Sequence, residues 1–151
     1  MKNLKEYIKE SILDDWEDID FKKDIKSEIK QFLKDNYYGR FSMTLVEGKY
    51  IVNSKASVDI KNINITSLSN GMFEFGKVRG FNCSYCNFLT SLEGAPKEVG
   101  EDFSCAFCNS LKTLEGAPEI VGGDFICRDC KGQFTEKDVT DVCNVKGKIN
   151  I

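Results

Sequence analysis

Three features of the sequence predict an α+β chain whose larger part is a short leucine-rich-repeat-like solenoid of 22-residue units. They are an internal repeat, two cysteine series locked to it, and helical periodicity in the residues before it. LEGAPKEVGEDFSCAFC from Leu92 returns as LEGAPEIVGGDFICRDC from Leu114, a step of 22 residues. At that same step Cys83, Cys105 and Cys127 form one series, and Cys86, Cys108 and Cys130 form another. Each unit reads Phe-x-Cys-x-x-Cys-x-x-Leu-x-x-Leu-Glu-Gly-Ala-Pro-x-x-Val, which fits the spacing and unit length of leucine-rich repeats.

The chain divides into a helical amino-terminal segment (1–40), a hairpin cap (41–57) and the solenoid with its carboxy-terminal cap (58–151). Leu4, Ile8, Ile12 and Trp16 recur at helical spacing, as do Phe21, Ile25, Ile29 and Phe32. Two amphipathic helices are therefore expected around an acidic DDWEDID junction. Phe41-SMTLV and Tyr50-IVNS, separated by Glu47-Gly-Lys, predict a hairpin. Val58, Ile60, Ile63 and Leu68 are expected to form a divergent first rung, with NGMFEFGKVRG as a longer connection.

Within the regular units Phe103 and Cys105 should alternate inward along a short strand, with Cys108 turning in after it. Leu111 and Leu114 should carry the return leg, and Gly116, Ala117 and Pro118 the bend. Past Cys130 the Leu-x-x-Leu pattern stops. Thr135-Glu-Lys-Asp138 then predicts a capping box ahead of a short helix whose face carries Val139, Val142 and Cys143. Lys148-Ile-Asn-Ile151 can add a closing strand. Such ends are needed because terminal rungs would otherwise expose apolar core and unpaired strand edges.

Composition narrows the function. Among 151 residues, 21 basic side chains against 24 acidic ones give a formal charge of −3, which is no footprint for gripping a phosphate backbone. No segment approaches the ~18 uninterrupted apolar residues of a membrane span. Seven cysteines are an odd number, and MKNLKEYIKE lacks the apolar run of a secretory signal, so a reducing cytoplasm is expected. There is no histidine, which removes the commonest general base, the usual partner of a nucleophilic Ser or Cys, and the commonest metal ligand. The sequence therefore predicts a non-enzymatic protein without a cofactor.

The Cys-x-x-Cys pairs fit a generic zinc template, and Cys83, Cys86, Cys105, Cys108, Cys127 and Cys130 would be its ligands. Each pair is, however, locked to a Phe two residues before and, in two of the three units, a Leu three after, which a core ladder requires and a zinc knuckle does not. Free cysteine packs readily as a small hydrophobe, so the expected role is a structural thiol ladder with no bound metal. A catalytic thiolate would need a base, a helix amino terminus or a nearby cation, and only Arg128 is close in sequence. The acidic run Asp14, Asp15, Glu17, Asp18 and Asp20 reads as a solvated junction.

The residues between core positions should face outward. Asn82, Ser84 and Tyr85 would stand above Ser104, Ala106 and Phe107, and these above Ile126, Arg128 and Asp129, forming a candidate binding surface for a protein partner. Tyr85 and Phe107 either stand exposed there or pack beneath the amino-terminal helices.

LTSLEGAPKEV and GGDFICRDC resemble the small leucine-rich-like repeat proteins of large tailed bacteriophages and gut viral metagenomes, over Val58 to the end. That resemblance implies phage origin and a solenoid fold. The opening MKNLKEYIKES is similar to the capsid-targeting peptide of T-even phage internal head proteins, whose protease cuts after Ile/Leu-x-Glu. Ile8-Lys9-Glu10 fits that rule, with Ser11 following. The expectation is a viral protein-protein interaction module for a host or virion partner, in the cytoplasm of an infected bacterium or the virion interior. A virion structural or packaged internal protein with a cleavable amino-terminal peptide is the alternative, and a zinc-binding protein a further one.

Overall fold

In the computed structural model residues 17–151 are described. The helix expected around Leu4, Ile8, Ile12 and Trp16, the Glu10–Ser11 processing site, and Asp14 and Asp15 lie outside them. In chain order the elements are α1 (Glu17–Asn36), β1 (Tyr37–Tyr38), β2 (Ser42–Val46), β3 (Lys49–Ser54), β4 (Val58–Ile60), β5 (Glu74–Val78) and β6 (Phe81–Asn82). There follow β7 (Glu98–Val99), β8 (Phe103–Ser104), β9 (Ile120–Val121), β10 (Phe125–Ile126), α2 (Glu136–Val142), β11 (Asn144–Val145) and β12 (Ile149–Asn150).

The strands form a β-solenoid of about four turns with a helix at each end. Each turn gives one strand to each of two sheets, ordered β1-β4-β6-β8-β10-β12 and β11-β9-β7-β5-β3-β2. From β4 to β12 and from β3 to β11 the pairing is parallel. The second ladder was not anticipated. The valine that closes each unit lies on it, and Val78, Val99 and Val121 are all buried. NGMFEFGKVRG is accordingly no plain connection: it contains β5, and Phe73, Phe75 and Val78 from it are core.

Pairing in register sets like on like. Phe81 lies on Phe103 with ring centroids 5.9 Å apart, and Phe103 on Phe125 at 5.0 Å. Cys83, Cys105 and Cys127 follow them inward, and Leu89, Leu92, Leu111 and Leu114 fill the far wall. In the first turn Ile65 and Leu68 take the leucine positions. Ile63, expected inward, is instead 51% exposed: Ile65 and Leu68, which precede Leu89 and Leu92 by one residue more than Val58 precedes Phe81, fill the inward positions there. The corner from second to first sheet is tight: a Cβ on Gly122 would run into the Gly100 carbonyl oxygen one turn below. The next turn's amide is caught there by an aspartate, Asp102 accepting from Asp124 N–H and Asp124 from Lys148 N–H, both at 2.7 Å.

The hairpin forms as expected, β2 antiparallel to β3 through Glu47 and Gly48, both at positive φ, but β3 also serves as the first parallel strand of the second sheet. Helix α1 closes that end of the core with Ile25, Ile29 and Leu33, and the Phe32 ring meets Phe73 edge-on at 6.0 Å. Glu17 to Asp20, expected in a junction, are already helical. At the other end the Thr135–Asp138 capping box is present and α2 buries Val139, with Cys143 just after it. Val142, expected on the same face, is 43% exposed, since a seven-residue helix presents barely one inward turn. No described helix is long and apolar enough to cross a membrane.

Leu111→Ala should cost about 2 to 5 kcal/mol, because it empties a fully buried position shared by adjacent turns. Lys97→Ala removes only an exposed side chain 3.8 Å from Glu74 and should cost under about 1 kcal/mol. Urea melts of the two variants read the difference, and equal losses would contradict the inward and outward assignment.

Candidate interaction surface

The surface begins with the bend between the two cysteines of each pair. Strict alternation from Cys83 inward and Ser84 outward would send residue 85 inward and the second cysteine out. Instead Tyr85, Phe107 and Asp129 adopt left-handed backbone, with φ of 64°, 58° and 56°. The chain thereby swings the third residue out and the second cysteine in, which explains why two cysteines three apart are both buried.

That conformation costs a non-glycine residue about 1 to 2 kcal/mol. A stacked aromatic pair recovers about 0.5 to 1.5 kcal/mol and an exposed cation–π contact about 0.5 to 1. The stack is therefore too weak to impose the bend, and Asp129 makes the same bend with no ring at all. What holds it is the interior. Cys108 Sγ donates to the Cys83 carbonyl at 3.3 Å and Cys130 Sγ to the Cys105 carbonyl at 3.1 Å, each thiol bonding to the turn below. The ladder also continues through the bend, with Tyr85 N–H donating to Ala106 O and Phe107 N–H to Arg128 O, both at 2.9 Å.

Burial pushes the Cys83 thiol well up, Cys86 and Cys127 to about 12, and Cys108 and Cys143 to about 11. The hydrogen bond between their side chains raises Cys105 and draws Cys130 down to about 7, with burial adding to the first and opposing the second. A carbonyl can only accept, so the contact from Cys130 to Cys105 O needs the Cys130 proton and favours its thiol form. Among the described residues no three Cys, Asp or Glu side chains converge to hold a metal ion.

Outside the bends the rings stand free of the described part of the amino-terminal helix, which closes the end of the solenoid. Tyr85 is 57% exposed and Phe107 half-buried. They stack with centroids 4.9 Å apart and planes 8° from parallel, and the Arg128 guanidinium lies 5.3 Å from the Phe107 centroid. Beside this column the Ser84 and Ser104 hydroxyls bond at 2.7 Å, and Asn82 Oδ1 accepts from Ser84 N–H at 3.0 Å. Ile126 is half-buried and Asp129 exposed, so the residues expected on this face share it.

Ala106, also expected outward, is only 3% exposed, its lone methyl covered by longer neighbours in the row from Ser84 to Arg128. Asp59, Ile60 and Ile63 line the same groove and were not expected there. The signal for them was the Val58-to-Phe81 register, which places Asp59 beside Asn82. No family model, curated protein or solved structure matches the chain.

The thiols fix the sign of the alkaline response. A thiol raised in the folded state stabilises the fold fully below the unfolded value near 9 and loses that contribution as pH rises through the folded value. Six of the seven thiols are of this kind, and on Cys130 the downward pull of the Cys105 thiol is opposed by the proton that Cys130 needs to donate to the Cys105 carbonyl. The urea midpoint should therefore fall steadily from pH 8.5 to 11, and a midpoint that holds or rises over that range would contradict thiol burial.

Proposed function

We propose that this is a non-enzymatic protein-protein interaction module of phage type, a solenoid of leucine-rich character that presents the first sheet to a host or virion protein. The observation that carries it is the Tyr85–Phe107–Arg128 column, three adjacent turns offering two rings and a guanidinium in one fixed row. Aromatic and Arg side chains dominate binding energy because they bury much area for little lost freedom, and here that freedom is already restricted. The groove carries Asp59, Glu101 and Asp102, with Glu101 paired to Arg79 at 2.8 Å, against Arg128, so it has no excess of basic charge, which supports a protein partner over nucleic acid. High thiol values and the absence of histidine support a role in packing for the cysteines.

Affinity capture from infected bacterial cells, with the wild-type chain and with Tyr85→Ser/Phe107→Ser, tests this. Since the rings are outside the core, the double variant should melt within a few degrees of wild type. It should lose its specific partner. Unchanged capture would overturn the reading, and a melting point far lower would place the rings in the stability of the fold instead.

A further inference from the structure

At the amino-terminal end the first sheet stops on β1, only two residues long, and the second on β2. Sheet edges are usually guarded by such shortness, by charged side chains or by proline. Strand β2 has five residues, Ser-Met-Thr-Leu-Val, with no charge and no proline. Its turn, Glu47 and Gly48, has positive φ at both positions and leaves Val46 opposite Lys49. A two-residue turn of this type closes on a hydrogen-bonded pair, and such pairs alternate along an antiparallel ladder. Ser42, Thr44 and Val46 therefore bond to β3, while Met43 and Leu45 turn their N–H and C=O groups outward. Among the described residues no strand and no other backbone group meets them there. Met43 also lines a groove with Lys26, Lys30 and Lys34 of α1 and with Tyr38 and Phe41. Spacing by four keeps the three lysines on one face of the helix. All three are exposed, and among the described residues none has an ion pair and no carboxylate lines the groove.

We propose that the β2 edge is a second docking site, which takes an extended acidic segment of a protein partner as an added strand with its carboxylates directed at Lys26, Lys30 and Lys34. This goes beyond the Tyr85–Phe107–Arg128 column, which belongs to the first sheet. Outward N–H and C=O groups alternate along the edge, and only another backbone presents both in return. Met43 packs against the core and lines the groove, so the residues of an added strand that share its face are those that reach the lysines. The residues between them point to the opposite face of the sheet. A nucleic-acid phosphate chain or an anionic lipid surface would answer the lysines but leave the edge unpaired. A second copy of the chain would pair β2 with β2 but bring two lysine rows together on the same side of the sheet.

The test is an NMR titration of the full chain with a blocked Glu-Val-Glu-Val-Glu peptide. Its controls are a Lys-Val-Lys-Val-Lys counterpart, the acidic peptide N-methylated at its three central residues, an oligothymidylate, and vesicles of phosphatidylserine and phosphatidylcholine. The acidic peptide should move the Met43 and Leu45 amide signals at millimolar concentration and slow their exchange with solvent. The lysine and N-methylated peptides should do neither. Lys26→Gln/Lys30→Gln/Lys34→Gln changes only exposed side chains and should weaken the acidic peptide about 5- to 10-fold, as should added salt. Tyr85→Ser/Phe107→Ser should bind it as the wild type does. The proposal is overturned if the lysine or N-methylated peptide binds as well as the acidic one, if the triple variant binds unchanged, or if the oligothymidylate or the vesicles move Met43 more strongly. It is also overturned if, without any peptide, contacts from residues 1–16 or self-association of the chain already cover Met43 and Leu45. Loss of the acidic peptide in the Tyr85/Phe107 variant would put its site on the first sheet and overturn the β2 edge in the same way. Capture of a cellular partner through Tyr85 and Phe107 is read separately, so either site can stand without the other.

Discussion

Everything in this molecule depends on parallel pairing in register, with like residues set on like from Phe81 to Phe103 to Phe125 and the connections absorbing small differences in turn length. Most of its strands are two residues long, far too short to persist alone, so each exists only because the turns above and below present the same residue type at the same depth. Phe81, Phe103 and Phe125 form one column, and the cysteines, leucines and valines form others. The bare corner at Gly122 and the aspartates that catch the next amide enforce the step from outside the core.

The same constraint makes the ends a problem, since an array that is held by neighbours lacks one at each terminus. The two solutions differ. At the beginning, Tyr37 is the centre of an aromatic cluster with Phe75 at 5.4 Å and Phe81 at 6.0 Å, and its hydroxyl donates to the Leu68 carbonyl at 2.7 Å. Helix α1 lies over that cluster. At the other end α2 takes the place of the Leu-x-x-Leu leg, closing the core with Val139 and Cys143 before β11 and β12 complete one more turn.

Interior and surface are two consequences of one bend. The left-handed residue in each Cys-x-x-Cys pair turns the second thiol inward, at Cys108 and Cys130 onto the carbonyl of the turn below, and sends its own side chain outward. Where that residue is Tyr or Phe, the constant step stacks the rings; where it is Asp129, Arg128 from the adjacent position reaches across and covers the last ring. The Tyr85–Phe107–Arg128 column is thus a by-product of the thiol ladder, and its rigidity is inherited from the core.

The sequence by itself determined the repeat, its 22-residue step, the burial of both thiol series, the hairpin and the capping box at Thr135, because each is signalled by residues close together in the chain. It also placed Asn82, Ser84, Tyr85, Ser104, Phe107, Ile126, Arg128 and Asp129 on one face. It did not reveal the second ladder, since a two-residue strand leaves no alternation to read and β5 sits in a stretch rich in glycine that resembles a loop. Nor could it decide that Ile63 faces solvent, that Ala106 is covered, or that Tyr85 and Phe107 stand clear of α1 with Arg128 on the outer ring. Those outcomes depend on which turn lies beside which and how far a side chain reaches across the gap, and only the tertiary stacking sets that distance.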